Sequence, residues 1–181
     1  MKTQNKNRLI LIAVLLLFAA PLVIAFVLNR QGWHPQNTRN SGTLVEPPYS
    51  VVNSPVTLAG GGKLVWRNAQ WQWTLLVLPG PRCETQCQTR LDEALRMRLT
   101  LGRNADRLRI VYLGPELPLS SFTAGALVVG GDDTGAFAKY RAQGEDSLAL
   151  ALVDPNGLLM LHYADGYSAI GVRSDIQRVF H

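Results

Sequence analysis

The chain has 181 residues, 47% of them apolar and 17% charged, with a formal net charge of +5. That composition excludes an intrinsically disordered or collagen-like protein, and two cysteines are too few for a small disulfide scaffold. The length fits one ordinary domain with appendages.

Leu9 to Leu28 reads LILIAVLLLFAAPLVIAFVL, twenty positions without a charged or strongly polar side chain. At the helical rise this matches the hydrocarbon thickness of a bilayer. A buried core helix is rarely apolar on every face over so many turns. A cleaved leader has an apolar region of about 7–15 residues ending in a small-x-small site, whereas here Ala19-Ala20 is followed by Pro21 and further apolar sequence. The stretch is therefore read as an uncleaved transmembrane anchor spanning residues 9–28. Lys2, Lys6 and Arg8 crowd the tail before it, and only Arg30 and Arg39 follow closely. The positive-inside bias then keeps residues 1–8 in the cytoplasm and sends the rest outward, for a bacterial inner membrane into the periplasm, where cysteine pairs can be oxidised. Beyond the span 15 Lys+Arg face 13 Asp+Glu, a net of +2. With no basic stripe interleaved with aromatics, nucleic acid is excluded as a partner.

Residues 29–54 are polar, rich in Asn, Gly and Pro, and lack a sustained period; they read as a tether leading to a domain over 55–181. Trp33 is placed for the headgroup region, and His34 reads as a solvated linker histidine. Gly60-Gly61-Gly62 reads as a turn, since the rest of a phosphate cradle is missing. Thr74 to Leu78 (TLLVL) is a buried strand that stops at Pro79-Gly80-Pro81. Glu84 to about Leu101 is an amphipathic helix, with Cys87, Leu91, Ala94 and Leu95 on one face. Leu108 to Leu113 is a second buried strand, and Ala126 to Val129 a short apolar segment. Asp133 to Arg141 reads as a helix with an acidic start and a basic end, and the carboxylates of Asp132 and Asp133 as its solvated cap. Leu148 to Val153, the turn Asp154-Pro155-Asn156-Gly157, and Leu158 to Tyr163 form an antiparallel hairpin. Ser168 to Phe180 closes the chain as a helix capped by Ser168 or Ser174.

The order β-α-β-α-β-β-α predicts an α/β fold with the thioredoxin-like plan, a mixed sheet with helices on both faces. Cys83 and Cys87 then fall where the first core strand hands over to the first long helix. Reactive groups collect at such carboxyl ends of strands. Unpaired N–H groups and the partial positive charge at the helix start would favour thiolate there. A Cys-x3-Cys spacing puts both sulfurs on one face with Cα atoms about 6 Å apart, close enough for a disulfide. Soft thiolates at that separation also suit Cu(I), but two cysteines supply only two ligands.

Three segments together resemble the Sco/SenC family: Trp73 to Cys87 (WTLLVLPGPRCETQC), Leu108 to Leu113 (LRIVYL), and Leu150 to Leu159 (LALVDPNGLL). The resemblance covers about Trp66 to His181 and implies a membrane-anchored thioredoxin-fold protein that helps assemble the copper centre of cytochrome c oxidase. It also implies copper held by Cys83, Cys87 and a histidine shortly before the strand that enters the Asp-Pro-x-Gly turn. Counting back from Asp154, that position is about Asp146, within Glu145-Asp146-Ser147. The prolines that commonly follow each family cysteine are Glu84 and Gln88 here, and Gly114-Pro115-Glu116 stands where an acidic Asp-Pro segment is expected. His162 is the alternative third metal ligand, against a structural role for a histidine flanked by apolar strand residues.

Three roles follow. The first is a thiol–disulfide oxidoreductase acting on an oxidase subunit or a copper carrier, with Cys83 attacking and Cys87 resolving. The second is a non-catalytic binding or scaffold module with a structural disulfide, and the third a Cu(I) chaperone with a non-standard third ligand. The chain has no Cys-x-x-Cys and no proline between Pro118 and Pro155, a departure from general disulfide reductases that points to a narrow specificity.

Overall fold

A computed structural model of the chain describes residues 2–31, 39–67, 69–115 and 127–180. The readings made for Trp33, His34 and Glu116 lie outside these residues. The chain divides into two compact units, Met1–Arg39 and Asn40–His181.

The first unit is helix α1 (Lys2–Arg30), which carries Pro21 inside it. Its stretch Ile10–Leu28, with a mean hydropathy of 3.1, is long and apolar enough to cross a membrane. The large apolar side chains from Ile10 to Val27 are all exposed, as a lipid-facing helix requires.

The second unit is built on a seven-stranded sheet. Its strands are β1 (Thr43–Ser50), β2 (Val56–Leu58), β3 (Trp73–Pro79), β4 (Leu108–Leu113), β5 (Leu127–Asp132), β6 (Leu148–Val153) and β7 (Leu158–Tyr163), in the spatial order β1-β7-β6-β3-β4-β5-β2. β3, β4 and β5 run parallel, and β6 lies antiparallel beside β3. Helix α2 (Thr85–Leu99) follows β3, and α3 (Ala169–Val179) closes the chain. β3 is central and buried on both faces, which is why it reads as an unbroken apolar run.

Two hydrophobic layers sandwich the sheet. On one face Leu75, Val77, Ile110, Leu150 and Leu152 pack against Cys87, Leu91 and Leu95 of α2 and Val172 and Ile176 of α3. On the other, Leu76, Leu78, Val111 and Val153 meet Trp66, Phe137 and Tyr140. The fold is the thioredoxin-like mixed sheet that the order of elements predicts, with both long helices of the domain on one face in place of the helices expected on both. In the turn between β6 and β7, Asp154 Oδ1 accepts the N–H groups of Asn156 and Leu158, and Gly157 takes φ +80°. Gly61 and Gly62, at φ +86° and +83°, shape the expected turn after β2. Ser168 Oγ accepts the Gly171 N–H and caps α3, while Ser174 lies inside that helix.

Two expectations are corrected. The stretch read as a tether over 29–54 contains β1, which pairs antiparallel with β7. Pro47 and Pro48 hide this strand in the sequence, but β1 is at the sheet edge and its register shifts between Leu44 and Tyr49, where missing N–H donors are tolerated. Second, Asp133 to Arg141 is not an α-helix. Gly135 at φ +68° turns the chain, and only a short 3-10 helix forms over Ala138–Tyr140. Asp132 accepts the N–H groups of Ala136 and Phe137 and so holds a turn instead of capping a helix, while the exposed Asp133 accepts the Thr57 hydroxyl of β2. The three-residue repeat of the 3-10 helix aims Phe137 and Tyr140 at the same layer. Among the described residues, that face of the sheet is covered by irregular segments, and both long helices of the domain lie on the other.

Candidate redox site

The backbone positions the cysteines before any side chain acts. β3 ends at Pro79, and the loop Gly80-Pro81-Arg82 carries the chain to Cys83 and α2. This loop is zipped to the segment before β6: the Gly80 N–H donates to the Ser147 carbonyl at 3.0 Å and the Arg82 N–H to the Glu145 carbonyl at 2.9 Å. A Cβ at Gly80 would run into the Gly144 carbonyl oxygen, so glycine is needed for this close approach. Ser147 Oγ donates to that same Gly144 carbonyl at 2.6 Å and folds the 144–147 turn. Arg82 forms an ion pair with Glu145 and a longer one with Glu84.

Cys83 and Cys87 form a disulfide with Cα atoms 5.0 Å apart. Cys83 is half-buried, whereas Cys87, on the inner face of α2, has no exposed surface and belongs to the core with Leu91 and Leu95. An incoming thiol or disulfide therefore meets the Cys83 sulfur first.

The start of α2 departs from expectation. Glu84, its N-cap, makes no side-chain cap bond. Asp146 caps the helix instead, from a distant loop: Oδ1 accepts the N–H groups of Glu84 at 2.7 Å and Cys87 at 3.0 Å, and Oδ2 that of Gln86 at 2.9 Å. The unpaired N–H groups predicted to favour thiolate are thus engaged by a carboxylate. Burial pushes the Asp146 carboxyl up, but the N–H groups of Gln86, Cys87 and Glu84 and the charge of Arg82 outweigh it and hold it below the usual carboxylate range. A value depressed in the folded state means that the cap's stabilisation is fully present above the ordinary range and is lost as pH falls through the depressed value. Amide hydrogen exchange at Glu84, Gln86 and Cys87 is accordingly expected to stay slow on acidification through the ordinary carboxylate range and to quicken only below it. Quickening in step with an exposed reference carboxylate would show that the cap does not behave this way.

His162 is not brought to the cysteines. Its Nε2 lies 3.0 Å from the Tyr140 carbonyl and its ring 5.5 Å from the Tyr140 ring, in the layer opposite α2. Its neighbours on β7, Leu161 and Tyr163, face the Cys87 side, so the strand's alternation turns His162 away. This corrects its reading as a metal ligand. The donors also fail to match a three-ligand Cu(I) set. Asp146, in the position where the resemblance calls for histidine, is a hard oxygen donor with both oxygens engaged, and no group of three His, Cys, Asp or Glu gathers among the described residues.

At the carboxyl ends of β3 and β4, an open groove of about 540 Å³ is lined by Pro79, Gly80 and Pro81 of the loop that leads to Cys83, and by Gly114, Pro115 and Arg141. Arg141 closes its floor by donating to the Leu113 carbonyl at 2.6 Å. The role of Asp146 escaped sequence reasoning. Its partners are 59 to 62 residues away, and the one sequence signal was an α2 start with no Ser, Thr, Asp or Asn at the cap.

The model of the transmembrane-like, thioredoxin-like, C-terminal domain family matches residues 73–181. No curated protein matches the chain. Among solved structures, apo Sco1 from Thermus thermophilus aligns with a TM-score of 0.55 and 18% identity, covering 81% of this chain and 99% of that one. Copper-bound yeast Sco1 aligns with a TM-score of 0.54 and 14% identity over 80% of this chain and 94% of that one. BsSco, described as a member of the Sco family of cytochrome c oxidase assembly proteins with a disulfide switch, aligns with a TM-score of 0.51 and 14% identity over 75% of this chain and 96% of that one. At these identities the likeness is one of fold. With well over half of its length matched by the family model, from the first residue of β3 to the C-terminus, the chain belongs to the transmembrane-like, thioredoxin-like family.

Proposed function

We propose that this is a single-pass membrane protein whose thioredoxin-like domain faces the periplasm of a bacterial inner membrane, where it supports assembly of the cytochrome c oxidase copper centre by thiol–disulfide exchange. The observation that carries the reading is a half-buried Cys83 joined to a fully buried Cys87 at the β3–α2 junction. In the reduced protein the Cys83 thiolate attacks a disulfide on an oxidase subunit or copper carrier, forming a mixed disulfide and releasing one partner thiolate. Cys87 then attacks the Cys83 sulfur, releases the second partner thiolate, and restores the Cys83–Cys87 bond. Two electrons pass to the partner, and a dithiol donor must reset the pair. Support for the orientation comes from Lys2, Lys6 and Arg8, and support for the oxidase from the fold shared with BsSco.

The non-catalytic scaffold is the second reading, and one observation favours it: the zipped loops and the Asp146 cap hold the oxidised pair firmly in place. A Cu(I) carrier would need a third ligand that the described residues do not supply. The test compares oxidase copper content in three strains: one lacking the protein, one carrying Cys83→Ser/Cys87→Ser, and one carrying the wild type. Loss in both the deletion and the double-serine strain is the expected result. Loss in the deletion alone would replace exchange by scaffolding.

A further inference from the structure

The carboxylate at the helix start has a consequence for the sulfur chemistry, and it rests on the exchange reading above. A thiolate at the start of a helix is normally stabilised by free backbone N–H groups and the positive end of the helix dipole. Here the N–H groups of Glu84, Gln86 and Cys87 all point into Asp146. Opening the disulfide would place a Cys83 or Cys87 thiolate next to that carboxylate, with no free donor among those three and with a like charge nearby. Glu84 and Glu145 add negative charge on the same side, and Arg82 is paired with both. The disulfide, carrying no charge, does not meet this repulsion.

We propose that Asp146 is a positioning residue that sets the redox equilibrium of the pair, holding Cys83–Cys87 on the disulfide side. Once reduced, such a pair is a strong electron donor, because anything that disfavours the thiolates favours giving two electrons away. The zipper that ties Gly80 and Arg82 to the 145–147 segment keeps the carboxylate in place, so its effect belongs to the folded loop pair and not to local sequence. A partner suited to this pair is a disulfide that is itself hard to reduce. The full reset reaction is exchange with a dithiol: the Cys83–Cys87 bond breaks, the donor's sulfur–sulfur bond forms, two electrons pass to the cysteines, one of the donor's two protons keeps the buried Cys87 a thiol, and the other goes to solvent, leaving Cys83 as the thiolate that faces Asp146.

The experiment uses the full chain in detergent, equilibrated against graded mixtures of reduced and oxidised dithiothreitol, with the reduced fraction read by thiol alkylation and mass. Two variants remove the charge while keeping an oxygen acceptor for the helix N–H groups, Asp146→Asn and Asp146→Ser, so that failure of one to fold leaves the other. Glu145→Gln removes an equal charge one residue away without touching the cap. Expected is a shift of about tenfold toward the dithiol in both Asp146 variants, equivalent to ~30 mV, with faster iodoacetamide alkylation of Cys83 at neutral pH. Glu145→Gln is expected to shift the equilibrium by less than about threefold, because an exposed, arginine-paired carboxylate is screened. A merely structural cap would change stability and leave the equilibrium where it is. Reversible titration with unshifted Asp146 variants, or a Glu145→Gln shift as large as theirs, overturns the proposal alone. A wild-type pair that no mixture reduces overturns it together with the exchange reading.

Discussion

Cys87→Ser is expected to accumulate a mixed disulfide between Cys83 and a partner protein, and Cys83→Ser to accumulate almost none. The asymmetry follows from packing. Cys87 sits on the inner face of α2 among Leu91, Leu95 and the sheet, without exposed surface, while Cys83 lies in the loop before the helix and is reachable. Exchange needs the attacking sulfur to approach in line with the bond it breaks, so a partner's disulfide reaches Cys83 without disturbing the core and reaches Cys87 only by unfolding the first turn. With serine at 87 the second step has no nucleophile, and the mixed disulfide persists. With serine at 83 the only thiol is buried, and the first step fails. The measurement is non-reducing electrophoresis of membranes after acid quenching of thiols. Equal trapping by the two variants would remove the assignment of Cys83 as attacker and, with it, the reading of the exposure difference.

The parts of the domain that were legible in the sequence are those whose signals are local. β3 and α2 meet at Pro79-Gly80-Pro81, where an apolar run gives way to helical spacing, and both elements form within a residue or two of the expected bounds. The hairpin of β6 and β7 is announced by Asp154-Pro155-Asn156-Gly157, whose carboxylate and glycine act within the turn itself. Most of what was hidden depends on distant partners, and the turn at Asp133 to Arg141 on a local glycine. β1 carries two prolines that argue against a strand until β7 is seen beside it at the sheet edge. The turn at Asp133 to Arg141 has acceptable helix charges, but Gly135 and the Asp132 cap end it early. Asp146 is the most consequential case. In the sequence it marks a missing histidine, and only the approach of the 145–147 segment to the cysteine loop gives it a role of its own.

Asp175→Ala is expected to destabilise the Asn40–His181 unit by roughly 2–4 kcal/mol, the usual cost of stranding buried polar groups around a deleted charge. Asp175 lies in α3 and is 1% exposed, yet it carries a carboxylate. Its Oδ2 accepts the N–H groups of Ser41 at 2.8 Å and Gly42 at 3.1 Å and the Tyr163 hydroxyl at 3.2 Å, while Oδ1 accepts from Arg178 at 2.9 Å. One residue thereby ties the entry of the chain into the domain, the last strand and the last helix to each other. Burial, then the charge of Asp175 and the bond to it, push the Tyr163 hydroxyl far above its ordinary value, so Tyr163 stays a donor at any physiological pH. Tyr163→Phe removes one donor and leaves the carboxylate with three partners, and a loss of about 1 kcal/mol is expected. Asp175→Ala instead leaves the Gly42 N–H and the Tyr163 hydroxyl buried without an acceptor, and it frees the start of β1, which opposes His162. The check is urea unfolding followed by tryptophan fluorescence, read as a shift in midpoint at constant slope. Equal losses for the two variants would mean that Tyr163 alone accounts for the contribution and that the chain entry is held by β1 pairing without the carboxylate. Exchange at Cys83 is expected to survive in both at temperatures where they remain folded, since Asp175 accepts from Ser41, Gly42, Tyr163 and Arg178, whereas Asp146 accepts from Glu84, Gln86 and Cys87.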